Sequence, residues 1–147
     1  MSDKFNFSLK FLEPTPRGLV MEIQLVLDGD FPVRSAFVDE EAFGFLEEAI
    51  RREWPSYTKY GHWGTTVIST DAWGKIMSSW KKLSFDLMQT DSVAEIDCIG
   101  FLFDDSKEHF EQEFTSARRG LVSLIEALVN WSAPEQGSIK EVVIRGV

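Results

Sequence analysis

A chain of 147 residues, 44% apolar and 27% charged, has the size and composition of one compact domain, residues 1–147, that buries a full core without staples. Its 24 acids against 15 bases leave a net charge of -9, which repels nucleic acid and anionic membrane surfaces and is complemented by a basic protein. The single cysteine, Cys98, excludes a disulfide within the chain and a multi-cysteine metal site, and no apolar run reaches the ~18 residues of a membrane span, so a cytoplasmic location is expected.

Phe5, Phe7, Leu9 and Phe11 alternate with polar residues, as in a half-buried strand, and Leu19, Met21, Ile23, Leu25 and Leu27 resume the alternation after a break at Glu13-Pro-Thr-Pro-Arg-Gly18. Residues 4–12 and 19–28 therefore read as an antiparallel N-terminal hairpin. Asp28-Gly-Asp-Phe-Pro32 predicts a second turn, and Asp39 is placed to cap a helix over 40–54, with Glu40 and Glu41 at the positive end of its dipole. Phe43, Leu46, Ile50 and Trp54 mark its apolar side, and Pro55 ends it. Residues 55–64 follow neither period and predict a loop rich in rings, with Tyr57, Tyr60, His62 and Trp63.

Residues 65–70 read either as a short strand or only as a lead, through Thr70 or Asp71 as cap, into a helix over 72–89 marked by Trp73, Ile76, Met77, Trp80, Leu83 and Leu87. Residues 94–103 alternate and then become continuously apolar, which predicts a buried central strand. Helical spacing returns from Phe110 to Trp131, as one long helix or two abutting ones, and the β-branched run 139–147 predicts a terminal strand. The expected order is ββα(β)αβαβ: an α+β fold with helices packed on a mostly antiparallel sheet.

Chemical motifs are sparse. Neither the Walker pattern nor GxGxxG is present, and His62 and His109 stand in no metal-ligand spacing. Asp104, Asp105, Glu108 and Glu111 lack the order of a calcium loop, so neither a metal nor another cofactor is expected. Cys98 reads as a small core residue, and Ser106 or Asp105 as the cap of the following helix, with Ser106 in that role rather than as a nucleophile. An enzyme using His62 or His109 as general base beside a carboxylate is one alternative, and a self-associating adaptor is another.

The charge pattern says more. Between Asp91 and Glu113 eight acids stand against one lysine, a formal charge of -7, and Asp39, Glu40, Glu41, Glu47 and Glu48 form a second acidic group. If the two share a face, their field steers a basic protein toward Asp39, Glu40, Glu47, Glu48, Asp104, Asp105, Glu108 and Glu111. Tyr57, Tyr60, His62 and Trp63 would supply desolvated anchors beside it, or the same rings would close the core.

These features, taken together, resemble the immunity proteins of bacterial contact-dependent inhibition and related polymorphic-toxin systems, which are small, often acidic cytosolic domains without catalytic motifs. The resemblance is one of class and assigns no role to any residue. It implies a non-enzymatic module that occludes the active site of a cognate basic toxin domain, often a nuclease, without contacting nucleic acid or membrane itself.

Overall fold

The computed structural model describes residues 5–15, 18–29, 33–57 and 64–146. Its strands are β1 (Leu9–Lys10), β2 (Val20–Leu27), β3 (Val33–Asp39), β4 (Thr65–Ser69) and β5 (Ile139–Arg145). Its helices are α1 (Glu40–Gly44), α2 (Glu47–Glu53), α3 (Thr70–Gln89), α4 (Ser106–Gln112) and α5 (Phe114–Ser132), with short 3-10 turns at Val93–Glu95 and Ala133–Ser138. The strands form one sheet in the order β1-β3-β2-β5-β4, and each pairing is antiparallel. This is the expected α+β architecture of helices on an antiparallel sheet.

The register puts Met21, Ile23 and Leu25 beside Val38, Ala36, Ile144 and Val142 on one face, all at most 1% exposed. Against that face lie α1 and α3, with α5 packed on α3. Trp73 and Trp80 meet edge to face at 5.3 Å and are fully buried, each with its indole N–H satisfied: Trp73 donates to Ser132 Oγ at 2.8 Å and Trp80 to the Leu46 carbonyl at 3.0 Å. The last turn of α3 has no basic residue of its own, and Arg118 of α5 reaches across to donate to the Thr90 carbonyl at 2.7 Å.

The structure departs from the sequence reading in its strand pairing, in one apolar run and in the first helix. The N-terminal hairpin is β2 with β3, not residues 4–12 with 19–28: β1 is two residues long and pairs with β3 through Leu9↔Val38. Residues 94–103 are not a strand. Val93, Ile96 and Ile99 are buried at every third position, so the apolar run is an irregular segment laid along the helices, and Phe103 at its end is 49% exposed. The helix expected over 40–54 breaks at Phe45 and Leu46, whose amides bond to the Ala42 and Phe43 carbonyls, tightening the chain for a turn. The two-helix alternative holds for the later region, with Glu113 between α4 and α5. The turn residues Asp30, Phe31 and Pro32, and the loop residues Tyr60, His62 and Trp63, lie outside the described residues.

Glu22 is an outward position of β2. On the sheet face opposite the core it is 6% exposed and accepts hydrogen bonds from Gln24 Nε2 at 3.0 Å and Ser35 Oγ at 2.8 Å, a cross-strand polar cluster that satisfies its buried carboxylate.

Candidate functional site

The two acidic groups, about fifty residues apart in sequence, are neighbours in space. Asp39 ends β3 and caps α1, accepting from the Ala42 amide at 3.3 Å, which sets Glu40 and Glu41 in the first turn. Partial burial pushes the Asp39 carboxyl above its usual range, against the lowering effect of the backbone amides it accepts. Across α1 runs the irregular segment 96–105, with the Gly100 amide donating to the Phe45 carbonyl at 3.2 Å.

Two glycines permit this crossing. A Cβ on Gly100 would lie 2.9 Å from the Gly44 carbonyl oxygen, and one on Gly44 would lie 2.7 Å from the Leu102 Cβ. The backbones meet where no side chain fits. Gly100→Ala is expected to cost about 1–3 kcal/mol, because the Gly44 carbonyl it strikes is backbone and cannot swing aside, and denaturant melts measure it. An unchanged midpoint would show that the segment is not held at this contact.

Ser106 is the second tie. Of the two expected caps Asp105 stands at the N-cap position of α4, without a side-chain bond, while Ser106 is the first residue of the helix and is fully buried. Its Oγ donates to Glu41 Oε2 at 2.7 Å and accepts from the Phe103 amide at 3.2 Å. One hydroxyl thus joins the first acidic helix to the turn that presents Phe103, Asp104 and Asp105.

Arg52 makes the third tie, bonding Glu48 and Asp97 at 2.9 Å each, while Arg51 adds a 2.6 Å pair to Glu48. These guanidinium groups hold the Glu48 and Asp97 carboxyls below their usual range. Glu48 is thereby engaged within the molecule. Tyr57 is 1% exposed, and its hydroxyl donates to Glu47 in a short hydrogen bond. Burial, then the Glu47 charge, pushes the Tyr57 phenol well above its ordinary range, so it stays a donor. A cavity of about 220 Å³ opens between Gly44, Glu47, Arg51, Tyr57 and Phe101.

Of the eight acids expected to face a partner, Asp104, Asp105, Glu108 and Glu111 are exposed, while Asp39, Glu40, Glu47 and Glu48 are half-buried. Tyr57 is a core residue whose polar tip serves this site. The exposed ring that sequence reasoning missed is Phe103, between buried Ile99 and two aspartates; the signal was its place beside Asp104-Asp105, outweighed by the apolar run before it. His109 Nδ1 lies 3.8 Å from Asp105 Oδ2, beyond hydrogen-bond reach. Cys98 is half-buried beside this network rather than in a strand, and burial pushes its thiol up.

Among the described residues no group of three or more His, Cys, Asp or Glu is arranged to hold a metal ion, and no helix is long and apolar enough to cross a membrane. No family model matches the chain, and no curated protein or solved structure shows a significant match to it.

Proposed function

We propose that this chain is an acidic protein-binding module, an immunity protein that binds a cognate basic toxin domain in the cytosol and neutralises it by covering its active site. The observation that carries the reading is the bond from Ser106 to Glu41, which gathers residues 40–48 and 97–111 into one acidic region around exposed Phe103. Carboxylates there replace the phosphates or acids that a basic cleft ordinarily receives, and Phe103 adds apolar burial at the centre. Long-range attraction speeds the encounter and weakens with salt.

The test is a low-salt pull-down with the tagged chain and a salt gradient, run beside the double variant Asp104→Lys, Asp105→Lys. One stoichiometric basic protein should leave at a defined step, and its activity should fall when the native chain is added. The variant should associate on the order of 10-fold or more slowly at low salt, with a flatter salt dependence. Equal retention by the variant would remove the acidic region from the interface. Absence of any inhibited activity, together with a small metabolite that raises the melting temperature, would favour an enzyme or a metabolite-binding domain instead.

A further inference from the structure

We propose that β4 is a self-pairing edge, through which two copies of this chain join their sheets antiparallel about Val67. β4 ends the sheet among the described strands, and its sequence, Thr65-Thr-Val-Ile-Ser69, contains no charge and no proline in a chain where 27% of residues are charged. Charge, proline and bulges are the usual means of blocking such an edge, and its ladder with β5 is regular.

The register decides which backbone groups face outward. The Gly146 amide bonds to the Gly64 carbonyl at 2.7 Å, and the pairing continues as Thr66↔Ile144 and Ile68↔Val142. Backbone groups alternate in direction along an antiparallel strand, so Thr66 and Ile68 bond to β5 while Thr65, Val67 and Ser69 present their amides to the open edge. Odd positions centred on Val67 match their own two-fold image. Val67 of one copy exchanges both bonds with Val67 of the other, and the Ser69 amide meets the Thr65 carbonyl. The Ser69 carbonyl is turned into the first bond of α3, for which Ser69 is the cap.

Side chains agree with this pairing. Val67 is 48% exposed and lies across from Val143 on the sheet face opposite the core, so the joined sheet would carry a Val143-Val67-Val67-Val143 row. A second copy is the occupant because the edge is neutral and self-complementary, whereas a basic partner is drawn to the acidic region elsewhere. One strand pair covers less than the roughly 1,200 Å² of a stable interface, so the dimer is transient. Each copy carries -9, so salt should strengthen this association by screening, the reverse of its effect on the acidic region.

Sedimentation from about 10 µM to about 1 mM, at low and high salt, tests the proposal together with amide exchange at Val67. The expected result is a mass that rises with concentration and further with salt. The Val67 amide should become protected in step, while Thr66 and Ile68 exchange slowly throughout. Val67→Lys should remain monomeric with its thermal melt unchanged. A mass that stays monomeric at about 1 mM, a dimer that survives Val67→Lys, or rapid Val67 exchange in the dimer would each overturn it. A monomeric chain whose Val67→Lys variant loses the pull-down partner would also overturn it and assign the edge to a partner's strand.

Discussion

Phe45→Ala should cost about 3–5 kcal/mol, a large part of the roughly 5–15 kcal/mol that holds a domain of this size together. Phe45 is fully buried at the break between α1 and α2 and stands at the centre of a ring cluster: Phe110 at 4.9 Å, Phe5 at 5.0 Å edge to face, and Phe101 at 5.9 Å. Those rings come from the N-terminal segment, the irregular crossing and α4, so truncation opens a cavity that three separate pieces of chain line. Small collapse is available on the side of Phe101, which is only half-buried, and this places the cost below the top of the range for a ring lost from a closed core. The consequence extends to the proposed interface, because Gly100 and Phe101 are held against the Phe45 backbone and ring. Urea unfolding with a matched binding assay checks both. A midpoint unchanged from the native protein would mean that the cluster is not packed as described.

Trp80→Ala should be of similar size, about 3–5 kcal/mol, and Trp80→Phe separates its two parts. The Leu46 carbonyl, at the start of α2, is buried under α3 and has a second lone pair beyond the one its own helix uses. Trp80 satisfies it at 3.0 Å. Phenylalanine retains most of the apolar contact with Trp73 but removes the indole donor, a loss of about 0.5–1.5 kcal/mol for one hydrogen bond. Alanine loses both. If Trp80→Phe matched the native stability, the helical bond of the Leu46 carbonyl alone would suffice and Trp80 would act through packing only. The order native, phenylalanine, alanine in thermal melts is therefore the informative result.

Several elements were legible because their signals are local. The spacing of Trp73, Ile76, Trp80, Leu83 and Leu87 places α3 almost to the residue, although Ser69 rather than Thr70 or Asp71 provides the cap, accepting from Ala72 N at 3.2 Å. Asp39 followed by two glutamates reads directly as a helix start. Residues 33–39 were the opposite case: Ser35 and Ala36 interrupt the alternation, and β3 exists because β2 offers it seven paired positions. The run 94–103 was ambiguous in principle, since a short continuous apolar stretch has no period to distinguish a strand from a segment packed by every third residue.

The sequence by itself determined the charge, the periodic helices and the composition of the two acidic groups, all properties that depend on a residue and its near neighbours. Tertiary structure decided which strands pair and where Phe103 points. It also placed the acidic groups together, through a backbone contact between Gly44 and Gly100 and a hydroxyl shared by Glu41 and Phe103. The physical reason is range: propensity and periodicity act over a few residues, whereas pairing and close approach are set by which surfaces fit after the chain has collapsed.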